Sequence, residues 1–181
     1  MSKWLVLFGT ILLCGCQAPM YAGSQCVLEP GSMAAMQTYA WRNNQAIDLE
    51  DRTGFVSPIV VAQLKSAIEN ELAKKGFRRV ARGAESADME LAVMLKARRE
   101  LVSYETGGQV CADSACWEKV DSNAGMRVET RTVGFLASDV YLDGEPVWRG
   151  WVETLLYRDD RDQPSDVMGR AVPKLFETFP P

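Results

Sequence analysis

The chain has 181 residues, 47% of them hydrophobic and 24% charged, enough for one core and too little for two. Twenty Lys plus Arg against 24 Asp plus Glu give a net charge of -4, so no strongly basic surface remains to track a nucleic-acid backbone. Histidine is absent, which removes Ser-His-Asp and Cys-His catalytic pairs, His-ligated metal sites and an imidazole switch near neutral pH.

In chain order, Met1 to Lys3 is a short start with one positive charge, and Trp4 to Leu13 is an uncharged apolar run. The run falls well short of the about 20 residues a membrane-spanning helix needs. A charged start, an apolar run and small residues, in that order, form a secretory signal peptide. Leu13-Cys14-Gly15-Cys16 resembles the lipobox of bacterial lipoproteins, in which a small residue precedes a cysteine that is diacylated before cleavage on its amino side. The resemblance implies a cut between Gly15 and Cys16, loss of residues 1–15, and Cys16 as the lipidated first residue of the mature chain. Lipidation at Cys14 would instead put bulky Leu13 at the scissile bond. Each buried acyl methylene contributes about 0.8 kcal/mol, so two or three palmitate-like chains anchor stably where one does not. Gln17 is not the aspartate associated with inner-membrane retention, so the resemblance implies the periplasmic face of an outer membrane. The first expected partner is therefore the membrane itself, through the acyl chains.

Three further cysteines, Cys26, Cys111 and Cys116, would then sit in an oxidising compartment. Cys111 and Cys116, in VCADSACW, are spaced for a small loop disulfide contributing about 2 kcal/mol in the chain-entropy model. Cys26 pairing with either one, or staying free, is left open. No second Cys/His pair follows at zinc spacing, so no metal is expected, and no cofactor motif stands in the sequence.

Residues 16–37 mix Pro, Gly and Ser without sustained periodicity and predict a flexible tether with a span of about 25 Å. Thr38-Tyr39-Ala40-Trp41 predicts a short strand that opens the domain proper, residues 38–181. Ser57 and Pro58 mark a helix start, with Val61, Leu64, Ile68 and Leu72 as its apolar stripe and Gly76 as its terminator after Lys75. Met89 to Ala97 alternates apolar with mostly polar residues and predicts a strand extending to Tyr104. Residues 105–126 read as a Cys-containing insertion, a flap between strands. Arg127 to Leu142 and Pro146 to Tyr157 form a predicted hairpin across Asp143-Gly144. Ser165 caps a last helix with Met168, Val172, Leu175 and Phe179 on its apolar side, and Pro173 should kink or divide it. The expected fold is α+β: a largely antiparallel sheet of about four strands packed on two amphipathic helices, in the order β-α-β-insertion-β-β-α.

With these elements placed, the chain resembles the uncharacterised envelope lipoproteins grouped as domain of unknown function 4136, over residues 38–181. The resemblance is carried by Thr38 to Trp41, Leu72-Ala73-Lys74-Lys75-Gly76-Phe77, Ala87 to Leu91, Gly134 to Asp143, Val147-Trp148-Arg149-Gly150 and Phe179-Pro180-Pro181. It implies a fold and a location, and brings no established reaction.

Trp148-Arg149-Gly150-Trp151 is the most conspicuous candidate binding group. On a strand the two tryptophans face opposite sides, with Arg149 on the side of Trp151. An exposed Trp beside Arg suits a sugar or a protein interface. The plainer expectation is that Arg149 pairs with Asp139 or Asp143. Asp88, Glu90, Asp139 and Glu153 are the carboxylates available for a glycosidase-like pair, and nothing in their spacing selects two of them. The run Arg158 to Asp162 alternates in charge and reads as a solvated loop. The sequence therefore predicts a non-catalytic, lipid-anchored domain that binds another envelope protein or a cell-wall component. A carboxylate-dependent hydrolase of an envelope glycan, and a small lipid- or glycan-binding domain, stay open as alternatives.

Overall fold

The structure, a computed structural model, describes the backbone of residues 20–28, 33, 35–43, 47–81, 87–105, 108–112, 115–119 and 126–180, and the side chains of all of these but 103–105, 108–112, 115–119 and 126–127. The lipobox residues Gly15 and Cys16, and the side chains of Cys111 and Cys116, lie outside that set.

The elements run β1 (Met20–Cys26), β2 (Thr38–Trp41), β3 (Ile47–Asp51), α1 (Pro58–Lys74), β4 (Arg78–Arg79), β5 (Met89–Glu105), β6 (Gly108–Ala112), β7 (Ala115–Lys119), β8 (Met126–Leu142), β9 (Glu145–Leu156), α2 (Arg158–Asp162) and α3 (Pro164–Leu175). Seven strands form one sheet in the order β1-β9-β8-β5-β2-β4, with β3 also paired to β5. β6 and β7 form a separate hairpin.

This corrects the expected antiparallel sheet of about four strands on two helices: the sheet is mixed and has seven strands, and the described residues form three helices. Its centre is antiparallel, but β2 and β3 lie end to end along β5, both parallel to it, and β4 runs parallel to β2. Parallel pairing follows from connectivity. A strand that returns through a helix such as α1 enters the sheet in its original direction. Alternation, the signal read for β5, reports which face is buried and says nothing of direction.

The added width comes from short, polar or interrupted segments. β1 lies inside the stretch expected as tether and pairs antiparallel with β9, from Met20 opposite Thr154 to Cys26 opposite Trp148. Its sequence MYAGSQC lacks an apolar alternation because it is an edge strand whose partner supplies the large side chains. The acidic run Arg158–Asp162, expected as loop, is α2.

The two longer helices meet the local signals closely. Ser57 Oγ accepts from the Val60 N–H at 3.4 Å, Pro58 is the first helical residue, and Gly76 follows the C-cap at φ 92°. Helix α3 begins at Pro164, one residue before the expected cap Ser165, and continues through Pro173 into its final turn. A proline that late removes only one intrahelical bond and does not divide the helix.

Leu64, Ile68 and Leu72 of α1 and Met168, Ala171, Val172 and Leu175 of α3 pack on one sheet face against Leu91, Val93, Leu136, Val140, Trp148 and Val152. Each large side chain so buried contributes about 1.5–3 kcal/mol before ordering costs. Among the described residues no helix covers the opposite face, where Met94, Phe135 and Trp151 are half-buried. β5 and β8 stay paired from Glu90 opposite Tyr141 to Glu105 opposite Met126, so their far halves form a two-stranded ribbon beyond the rest of the sheet.

Candidate functional site

The group Trp148, Arg149 and Trp151 is divided by the pleat of β9. Trp148 faces the helices at 2% exposure, stacked on Phe176 at 5.9 Å and edge-on to Phe179 at 4.8 Å. It is a core residue and is not available to a ligand. Arg149 and Trp151 lie on the open face. Arg149 donates to both oxygens of Asp139, at 2.5 and 2.7 Å, across the β8–β9 pair that sets the two residues opposite one another. That bidentate contact raises the Arg149 pKa and occupies its fork. Trp151 lies across Gly23 of the edge strand, which leaves it half-covered.

The four carboxylates weighed for hydrolysis are each engaged separately. Asp88 Oδ2 accepts from the Gln37 and Thr38 N–H groups and from Thr38 Oγ1, and these bonds hold its pKa below the ordinary value. Glu90 pairs with Arg42 at 2.9 Å, Asp139 with Arg149, and Glu153 with Arg98 at 3.2 Å.

A different site emerges where the ribbon leaves the sheet. A cleft of about 580 Å³ opens between the loop after β3, the far halves of β5 and β8, and the β9–α2 corner. Arg99, Arg131, Arg158 and Arg161 line it together with one carboxylate, Glu129, and with Thr53, Thr130, Thr132 and Tyr157 between them. Arg131 is paired with Glu129 at 3.1 Å. Arg99 and Arg161 instead donate to main-chain carbonyls, those of Thr53 at 3.5 Å and Gly54 at 3.1 Å. Among the described residues, Arg99, Arg158 and Arg161 have no carboxylate ion-pair partner, whereas Arg42, Arg52, Arg79, Arg98, Arg131 and Arg149 each hold one.

Asp51 builds the rim of this cleft. Its carboxylate accepts from the N–H groups of Thr53, Gly54 and Val56 and from Thr53 Oγ1, at 2.7–3.1 Å. Burial pushes the Asp51 pKa up, but the hydrogen bonds from Val56, Thr53 and Gly54 outweigh it and hold the group below its ordinary value. At the other side, Asp160 Oδ2 accepts from the Tyr157 N–H at 2.7 Å, fixing the corner from which Arg158 and Arg161 project. Phe55 and Leu156 form a wall shared with an apolar cavity of about 70 Å³ beneath the helices.

The arrangement can bind anions. Guanidinium groups engage phosphate or carboxylate through paired N–H donors, and hydroxyls between them supply further donors. No sequence signal singled these arginines out, because they come from three separate elements, and two of them stand in a run whose formal charge is acidic.

The described residues define a two-layer domain, a wide mixed sheet with helices on one face and a basic cleft at one end. The chain belongs to the family described as domain of unknown function DUF4136, whose model matches residues 30–181. Among solved structures it is similar to a PelC dodecamer from Paraburkholderia phytofirmans, 13% identical at a TM-score of 0.50, covering 90% of this chain and 98% of that one. It is likewise similar to a DUF4136 family protein from Bacteroides thetaiotaomicron, 10% identical at a TM-score of 0.50, covering 90% of this chain and 96% of the other. At such identities the likeness is one of fold. No curated protein matches the chain.

Proposed function

We infer that this protein is a lipid-anchored envelope domain, held through Cys16 on the periplasmic face of an outer membrane, that binds an anionic envelope component without chemical turnover. The observation that carries the binding role is the cleft: three arginines that have no carboxylate ion-pair partner among the described residues converge there in a chain whose net charge is -4. Arg42, Arg52, Arg79, Arg98, Arg131 and Arg149 are each neutralised by a carboxylate, so three arginines without one around a single cleft suit an incoming negative group. Separate engagement of Asp88, Glu90, Asp139 and Glu153 favours binding over carboxylate-pair hydrolysis. In the oxidising compartment this reading implies, Cys111 and Cys116 are joined; they stand directly opposite one another in the β6–β7 hairpin.

Two measurements test the reading. Mass analysis of the N-terminal peptide from envelope-purified protein should find a diacylglyceryl thioether on Cys16, and an unmodified Cys16 or an uncleaved Met1 would refute the anchor. Titration with inorganic phosphate should shift the resonances of Arg99, Arg158 and Arg161; shifts elsewhere only, or none, would refute the cleft as an anion site.

A further inference from the structure

We propose that the arginine cleft docks onto the anionic phospholipid headgroups of the leaflet that carries the anchor, laying the β5–β8 ribbon along the membrane surface. The proposal rests on the anchored reading above and names the partner of that same cleft.

The geometry starts at β1. Only residues 17–19 separate Cys16 from Met20, so the leash from the lipidated residue to the sheet is at most about 14 Å long. Met20 stands opposite Thr154, Thr154 opposite Gly134, and Gly134 opposite Ala97, which places Met20, the residue the leash leads into, on one identified rung of the sheet. The cleft begins two rungs beyond it, where Leu156 faces Thr132 and Thr132 faces Arg99. The anchor and the open arginines therefore occupy the same end of the domain.

The ribbon also projects from that end. From the leash rung, Ala97 opposite Gly134, to Glu105 opposite Met126, β5 and β8 run on for about 26 Å at the usual strand rise, beyond β9 from Glu100 onward. A ribbon longer than the leash reaches the bilayer before an upright domain can clear it, so the ribbon lies along the surface.

Charge selects which side faces the lipid. On one side Arg98, Glu100, Glu129 and Arg131 neutralise each other in pairs. The other side carries Arg99, continuous with Arg158 and Arg161, none of which has a carboxylate ion-pair partner among the described residues; the Glu129 and Arg131 that also line the cleft are paired with each other. It also presents Leu101, Val128 and Tyr157, each exposed over more than half of its surface. Cations that attract headgroup phosphates, beside apolar and tyrosine side chains that enter the interface, form the usual chemistry of a peripheral membrane face.

The test uses the full acylated protein in nanodiscs of phosphatidylcholine alone or with phosphatidylglycerol, read by hydrogen exchange. The expected result is severalfold slower exchange over residues 128–132 and 155–161 in the anionic discs, reduced by salt. The triple variant Arg99→Gln, Arg158→Gln, Arg161→Gln should lose that difference while exchange in α1 stays unchanged, which separates lost docking from lost folding. Equal exchange in the two discs, with the acyl mass on Cys16 verified in the same sample, overturns the docking and leaves the anchor standing. A missing acyl mass overturns the anchor and the placement built on it. Slowing by inorganic phosphate in solution, without a difference between discs, makes the cleft a soluble-anion site and also refutes the docking.

Discussion

The indole of Trp151 lies directly over Gly23: a Cβ built on that glycine would come within 2.3 Å of Trp151 Cζ2. The contact fastens the edge strand β1 to β9, and β1 is the first strand after the expected lipidation site in the chain. Gly23→Ala should therefore destabilise the domain by about 1–3 kcal/mol through overpacking, with β1 amides exchanging faster. Trp151→Ala combined with Gly23→Ala should recover part of the loss, and a double-mutant cycle with no coupling would refute the contact.

Trp148 and Arg149 are neighbours with opposite fates. Trp148→Ala should cost about 3–5 kcal/mol, because the indole fills the space between Phe176 and Phe179. Arg149→Ala removes a surface pair with Asp139 and should cost less than about 1 kcal/mol. Urea unfolding of the two variants checks the contrast, and equal losses would contradict the assigned faces.

Asp51 predicts acid sensitivity at the cleft rim. Its folded pKa lies below its ordinary value of 3.8, so its bonds to Thr53, Gly54 and Val56 stabilise the fold above that pH and are lost as pH falls through the folded value. Asp51→Asn should lower stability at pH 7 by on the order of 1 kcal/mol. The gap between variant and parent should close on acidification, and a gap that stays constant to low pH would show that the carboxylate charge is not what holds the rim.

Cys111 opposite Cys116 in a two-stranded hairpin places the two α-carbons within the range a disulfide bridges. Under non-reducing conditions, alkylation of the protein purified from its native cells should label Cys26, which is exposed, and leave Cys111 and Cys116 unlabelled. Labelling of all three cysteines would argue against the bridge.

Local signals were legible wherever one short stretch settles its own structure. Ser57-Pro58, the Leu64, Ile68 and Leu72 stripe and Gly76 specify α1 without help from elsewhere, and Asp143-Gly144 specifies the β8–β9 turn, with both residues at positive φ. The Arg149–Asp139 pair was legible too, once the hairpin register was given.

Strand direction, the edges of the sheet and the cleft were decided only in three dimensions. β1 is a strand because it pairs with β9, far along the chain, and Gly23 leaves the room that Trp151 takes there. Arg99 and Arg161 meet the loop at Thr53 and Gly54 through separations of 46 and 107 residues. Amino-acid order dictates helix caps, turns and alternation because those depend on neighbours within a few residues. A binding surface depends on which distant side chains share a space and which charges go unpaired there, and folding alone brings those groups together.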